Sequence, residues 1–536
     1  MRLAATCLVL AALAGGPLAA REVVDAAPPS DISVTIYRDP DRDPDERLRR
    51  QRPGGIAMIS ETRRVTLPPG ESTIRFEGVA EGMIGVSAIV TGLPGGTIEM
   101  NRNAQLLSPA ALVDGTLGNR VTITRTNPVT GAVTSEQAVV RTRADGGLVL
   151  ETSQGFEAVR CSGLPESLSF ARVPPGLSSR PVFSVDTRSA QGGTYDVTLT
   201  YLAWGFDWQA DYVASLAKQA KGGELSLDLL SWLTLVNDNG QSFDSARLQI
   251  VAGRLNLTSD YRRLADPPVA RGLSLTCYPI GSTAAGTAPP PPPPPPAPPP
   301  PPPIAAPMMM SAEAITVTGA RMRAADAAVV TASEENLGDL KLFRVPGRVD
   351  VSAKGMKQVA FLDKDGVKAR LVYRTTCDPY ADSAEEPLAA ELLLATRNEE
   401  ARGLGIALPQ GAMTLYEPAA GGERLAGRTT LRDYARGQEM ELELGESAQV
   451  FARCAALQAG GAGEIARQWV PMRARLTNAN PHPVTIRLQL GYAGGFDIRF
   501  PGQKVEVKDG WQTAEVTIPA NAERRLDWQL RSATRP

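Results

Sequence analysis

The stretch Tyr195-Asp196-Val197-Thr198-Leu199-Thr200-Tyr201 sets apolar against polar side chains at every step. A period of two is that of a β-strand, whose successive side chains face opposite sides of a sheet, so this segment reads as a strand with one buried face. The alternation recurs in both directions. Toward the N-terminus it marks 32–37, 72–76, 85–90, 121–126 and 148–150, separated by turn formers such as Asn127-Pro128 and Asp145-Gly146-Gly147. Toward the C-terminus it marks 207–215, 224–236, 247–251, 340–345, 358–362, 368–376 and 439–444. A closing group follows at 473–476, 484–490, 504–507, 514–518 and 525–530. Short alternating runs between turns predict antiparallel sandwiches or barrels, and the whole chain reads as all-β. The segment 387–397 is ambiguous: its Ala, Leu and Glu favour helix, while its flanks are strand-like.

Composition narrows the function classes. Among 536 residues, 56 Lys+Arg and 58 Asp+Glu leave a formal charge of -2. That balance argues against a nucleic-acid-binding chain and against an acidic disordered one. The 50 Gly and 44 Pro favour turns and linkers over long helices. A single histidine, His482, in the turn Asn480-Pro481-His482-Pro483, removes most zinc sites and many acid–base mechanisms from consideration. The length suits two to four domains.

The N-terminus reads as an export signal, with Arg2 before an apolar run, helix-breaking Gly15-Gly16-Pro17, and small residues at Ala19 and Ala20. Residues 1–20 are expected to be removed, or cleavage falls near Ala26, leaving a periplasmic or secreted protein. No later segment is apolar and long enough for a membrane-spanning helix. In an oxidising compartment the four remaining cysteines, Cys161, Cys277, Cys377 and Cys454, allow two disulfides in three connectivities. The simplest pairs Cys161 with Cys277 and Cys377 with Cys454. Four separate buried thiols are the alternative.

Residues 289–303 are all proline except Ala297, which predicts an extended polyproline rod without a packed core. The flanks extend this segment to 281–333.

Around the opening stretch the pattern becomes specific. Trp208-Gln209-Ala210-Asp211-Tyr212 is followed by Leu235-Val236-Asn237, Gly240, Phe243 and Ala246-Arg247-Leu248-Gln249-Ile250. Farther on come Arg397-Asn398, Gly403-Leu404-Gly405, Leu408-Pro409-Gln410-Gly411, and Asn478 through Val484. This resembles the mucoidy-inhibitor-A-like proteins, a bacterial family whose shared domain has no assigned function. Residues 65–79 resemble the family's opening hairpin. The chain departs from the longer members by lacking their coiled coil and by carrying the proline-rich segment. The resemblance implies a fold and a compartment but no reaction, cofactor or catalytic residue. It also implies that strands on both sides of the proline run belong to one domain. The expected organisation is therefore an N-terminal β region at 27–190, a central β-sandwich at 191–280 plus 334–455, a disordered insertion at 281–333, and an immunoglobulin-like sandwich at 456–536.

Three features carry candidate chemistry. Trp204, Phe206, Trp208, Tyr212 and Trp232 crowd into one region; such rings stack on sugars when exposed and fill a core when buried. Trp208 and Trp232 are expected in the core. Asp39, Asp41, Asp43 and Asp45 alternate, but Pro40, Pro44, Arg42 and Arg47 make a solvated hairpin tip the expected reading over calcium ligands. Within the insertion, the strip carrying Ile315, Val317, Gly319 and Arg321 is β-prone. It could add as a strand to a partner's sheet edge, or dock on its own domain. No phosphate loop, nucleophile elbow or zinc-protease motif is present. The expectation is an exported, envelope-associated binding or scaffolding protein without enzymatic activity or cofactor. Its partner would be an envelope protein or polysaccharide. The alternatives are a glycan-binding protein and a glycan hydrolase working with carboxylates alone.

Overall fold

The strand Gly193–Leu216 changes sides in its middle. In the computed structural model its buried apolar residues are Val197, Leu199, Tyr201 and Ala203, and then Phe206, Trp208, Ala210, Tyr212, Ala214 and Leu216. Odd positions give way to even ones at Trp204-Gly205. The register against Gly55–Leu67 slips there, a β-bulge that inserts one residue and returns the apolar set to the core. Gly205 sits at φ 92°, where a side chain is strained. Three backbone groups opened by the bulge are engaged. The Gly205 carbonyl accepts from the Asp238 N–H at 2.8 Å, and the Trp204 N–H donates to the Gly82 carbonyl at 2.7 Å. The Trp204 carbonyl accepts from Asn239 Nδ2 at 3.0 Å.

Ahead of the bulge this strand pairs antiparallel with Gly55–Leu67 and Met83–Thr91. Beyond it the partners are Glu224–Asn237, antiparallel, and Gly411–Ala419, parallel. Glu224–Asn237 pairs onward with Gly355–Thr376. Asp31–Tyr37 joins Gly55–Leu67 to Phe243–Ala252, which in turn pairs with Leu340–Val351. A second, four-stranded sheet contains Gly70–Glu77 and Val182–Ser189. Its Ile74, Phe76, Phe183 and Val185 share one core with Val65, Leu67, Val197 and Leu199. The protein is nearly all β.

The structure describes residues 21–533 except 104–105, 145–146, 160–164, 175, 217–223, 257–260, 266–270, 274–331, 378–385, 420–421 and 458–467. The expected signal segment, Cys161, Cys277, and the strip with Ile315, Val317, Gly319 and Arg321 lie outside the described residues. So does the 281–333 segment up to residue 331. The chain re-enters the sheet as Ser333–Leu337, which pairs with Leu340–Val351. That strand in turn pairs with Phe243–Ala252, Lys341 opposite Ala252, so re-entry lies one strand over from the strand the chain left.

The described residues of Met1–Arg102, Val182–Pro267 and Val329–Pro536 form one unit, and those of Asn103–Pro181 and Pro268–Ala328 another. This divides the chain differently from the sequence reading. Within 27–102, Gly55–Leu67 and Met83–Thr91 pair with Gly193–Leu216, and Asp31–Tyr37 pairs with Phe243–Ala252, so these strands belong with the region expected to be central. The described residues of 103–181 belong to the second unit and include a five-stranded antiparallel sheet and the helix Pro109–Gly115. Leu273, expected in the central sandwich, packs on that unit's core, and Arg271 pairs there with Asp114 at 2.8 Å. Residues 65–79 are not a hairpin: Gly55–Leu67 and Gly70–Glu77 lie in different sheets that share a core. The ambiguous segment is the strand Leu388–Arg397, held on both sides by Gly355–Thr376 and Glu439–Ala456; pairing outweighs helix propensity. The boundary at 456 is crossed as well. The C-terminal core around Trp528, Met472 and Ile486 also takes Tyr373, Ala390 and Val450, because the same strands run through both cores.

Cys377 and Cys454 are joined, with Cα atoms 5.3 Å apart and a sequence separation of 77. The bridge ties the end of Gly355–Thr376 to Glu439–Ala456 inside the second core.

Two outcomes follow. Gly205→Val meets both the positive φ and Asn239 Nδ2, which lies 2.9 Å from the added Cβ. It should lower unfolding free energy by about 2–4 kcal/mol in urea titrations. Cys454→Ser should lower it by ~2–4 kcal/mol, the range for a bridge closing a long loop, and the reductant sensitivity of wild-type melting should disappear.

Candidate functional site

Beyond the bulge, the outward side chains of Gly193–Leu216 are Asp207, Gln209, Asp211, Val213 and Ser215. Register sets their neighbours. Gln209 lies opposite Thr234, and Thr234 opposite Gln358; Asp211 lies opposite Trp232 on one side and Ala412 on the other. Ala412 in turn faces Thr430. Directly opposed residues share a face, so these side chains form one polar floor with a single tryptophan beside it.

The floor is tied together internally. Gln358 Nε2 donates to Thr234 Oγ1 at 3.1 Å, and Thr234 Oγ1 donates to Asp211 Oδ2 at 2.6 Å. Gln209 Nε2 donates to Asp211 Oδ1 at 2.8 Å, while its Oε1 accepts the Leu48 N–H at 3.1 Å. Asp211 is the acceptor on which the whole row ends.

Residues 38–54, between Asp31–Tyr37 and Gly55–Leu67, form a strap over this face. At its start Arg38 is buried and binds Asp433 through two hydrogen bonds of 3.1 and 2.7 Å. In its middle Arg42, buried to 8% exposure, pairs with Asp207, buried to 1%, and donates to the Trp208 carbonyl. The other oxygen of Asp207 accepts the backbone N–H groups of Asp39, at 3.0 Å, and Trp208, at 2.8 Å. At its end Gly55 lies so close to the Tyr37 and Phe206 carbonyls that a Cβ would approach them to 2.5 and 2.7 Å. Between strap and floor runs an open groove of about 640 Å³. Its remaining wall includes Gln410, Thr429, Met356 and the arginines Arg47, Arg50 and Arg428.

Burial dominates the electrostatics of the anchor. It pushes the Asp207 carboxyl from its usual 3.8 up to about 6, against the opposing pull of Arg42.

The aromatic residues divide. Phe206, Trp208 and Tyr212 are fully buried in the core, and Tyr212 donates to the Pro409 carbonyl at 2.7 Å. No face of these three is open to a sugar. Trp204 is half-buried. Trp232, expected in the core, is half-buried on the outward face, because it takes the even parity of Thr234 rather than the odd parity of Leu233 and Leu235. Of the tip expected to be solvated, Asp41, Asp43, Asp45 and Arg47 are exposed, but Arg42 is buried in an ion pair and the segment is the strap. The signal for it was Arg42 itself, whose partner 165 residues away no local pattern reveals. Among the described residues no cluster of His, Cys, Asp and Glu is arranged to hold a metal ion. His482 is half-buried, its carbonyl accepting from Asn478 Nδ2 at 2.9 Å.

The chain matches no protein-family model and no curated protein.

The anchor has a measurable pH signature. A carboxyl whose folded pKa lies above its unfolded value contributes stability that is full below the unfolded value and is lost as pH rises through about 6. Comparing wild type with Asp207→Asn by urea unfolding, the wild type should gain on the order of 2–3 kcal/mol relative to the variant between pH 7 and pH 4. A relative loss over that interval would mean that Arg42, not burial, governs the site.

Proposed function

We propose that the chain is an exported, non-enzymatic binding or scaffolding protein of the bacterial cell envelope, related to the mucoidy-inhibitor-A-like proteins, and that it binds through the groove beneath the strap. The observation that carries this reading is the hydrogen-bonded floor of Gln209, Asp211, Thr234 and Gln358 under a strap fastened at Arg38 and Arg42. Side chains held by one another before a ligand arrives lose little freedom on binding, which is the requirement for affinity and selectivity. The volume falls within the usual range for ligand sites. Export is supported by the character of residues 1–20.

Two of the groove's three carboxylates, Asp211 and Glu46, are engaged as acceptors, and the third, Asp45, stands on the exposed strap. Both oxygens of Asp211 receive donors, and Glu46 pairs with Arg49 at 2.5 Å. This favours binding over hydrolysis by paired carboxylates, which needs one group protonated and one free to attack.

The test is sedimentation of the purified full-length protein with washed cell envelopes. Wild type should pellet with them. Thr430→Trp, which fills the groove from its edge without touching the floor's hydrogen bonds, should remain in the supernatant while melting like wild type. Equal sedimentation of the two would remove the groove from the reading, and release of reducing ends from envelope glycan would overturn the non-enzymatic assignment.

A further inference from the structure

Three arginines line the groove without a carboxylate partner. Arg47 and Arg50 on the strap and Arg428 on the strand Gly422–Leu431 form no ion pair among the described residues, although thirty-odd other basic–acidic contacts do form. Around them the neighbouring basic groups are engaged: Arg38 by Asp433, Arg42 by Asp207 and Arg49 by Glu46. The groove's walls thus carry three unpaired arginines against one unpaired carboxylate, Asp45, while the floor is neutral amide and hydroxyl around one satisfied carboxylate.

Resting on the groove reading above, we propose that the groove binds an acidic oligosaccharide, with Arg47, Arg50 and Arg428 meeting its carboxylates, the Gln358–Thr234–Asp211–Gln209 row and Thr430 meeting its hydroxyls, and the half-buried Trp232, beside Asp211 on the same sheet face just outside the groove's lining, serving as a platform for a sugar that extends past the row. Each element has a chemical reason. Guanidinium binds carboxylate through paired hydrogen bonds and keeps its charge at any physiological pH. A sugar hydroxyl both donates and accepts, and amide and hydroxyl side chains match it in both senses. The C–H face of a pyranose packs on an aromatic ring, and Trp232 stands half-exposed directly opposite Asp211, on the face that carries the row. The groove floor is a sheet face rather than a sheet edge, so it offers side chains and no free backbone ladder. That arrangement disfavours an extended peptide, which is usually held by main-chain pairing.

The experiment is calorimetric titration of the full chain with oligogalacturonate, with a maltodextrin of the same length and with a polyglutamate peptide, at low and high salt. Oligogalacturonate should bind, weaken as salt rises, and lose about tenfold or more in affinity in Arg428→Ala and in Arg47→Ala. Trp232→Ala, on a half-exposed position, should weaken the uronate at both salt concentrations alike, separating stacking from charge. Trp232→Phe should restore part of the loss. Maltodextrin binding as tightly as the uronate would overturn the role of the arginines. Polyglutamate binding as tightly would overturn the sugar assignment and leave a polyanion surface. If none of the three binds while Thr430→Trp still abolishes envelope sedimentation, the acidic-glycan inference fails and the groove reading stands. If sedimentation is also unaffected, both fail.

Discussion

One extra residue in a 24-residue strand organises the whole first unit. Had the alternation of Val197, Leu199 and Tyr201 continued without a bulge, Asp207, Gln209 and Asp211 would point into the core and Phe206, Trp208 and Tyr212 into the groove. Burying two carboxylates and an amide while exposing three large rings would cost far more than a domain's net stability. The bulge at Gly205 removes the conflict, and its freed backbone groups are taken up by Asp238, Asn239 and Gly82. Core and groove are therefore two faces of the same event: the step that buries the rings is the step that presents the polar floor.

The strap's anchor is a poor device for stability. A buried ion pair recovers in mutual attraction roughly what its two charges lose in hydration, and the raised pKa of Asp207 shows burial prevailing over Arg42. What the pair supplies is position. Arg42 satisfies Asp207 and the Trp208 carbonyl together, and Asp207 orders the backbone of Asp39, so only one placement of the strap leaves all these groups paired. An apolar plug at the same place would hold more firmly yet tolerate several registers. A second charged group within the core obeys the same logic. Glu61 and Arg63, two apart on one strand, face inward together and bind Tyr201 and the Glu77 carbonyl.

That inward pair also explains what the sequence concealed. The alternation at 195–201 is plain because its inward side chains are apolar, whereas Gly55–Leu67 passes unrecognised because two of its inward positions are Glu61 and Arg63. All-β character and most strands were legible from periods of two between turns. The assignment of 27–102 to the central region was not, since it depends on parallel pairing of Asp31–Tyr37 with Phe243–Ala252 across more than two hundred residues. Of the site, Arg42, Asp45 and Arg47 on the strap and the neighbouring aromatic cluster were visible in advance, but not that the strap packs on the sheet, and Trp232 was placed on the wrong side. Hydrophobicity says that a tryptophan is mostly covered but not by what, and the parity of Glu224–Asn237 is set by register against two neighbours.

The motif asparagines separate fold from function. Asn237 is buried and holds the turn at 239–241 through its amide and carbonyl. Asn398, fully buried, donates to the Ile406 and Ala435 carbonyls and accepts the Gly405 N–H. Asn478 does the same work for the turn carrying His482, donating to the His482 and Pro519 carbonyls. Each of the most recognisable polar positions is thus consumed by the backbone of a turn, leaving no group for a ligand. A resemblance carried by such positions transmits the architecture and says nothing about what is bound. On the proposed reading, ligand choice resides instead in side chains that the turns leave free, on the outward rows and on the strap. There Ala412, Thr430, Arg428 and Arg47 can be exchanged without disturbing a turn, a bulge or either core, so the same framework can take different ligands by changing only what faces the groove.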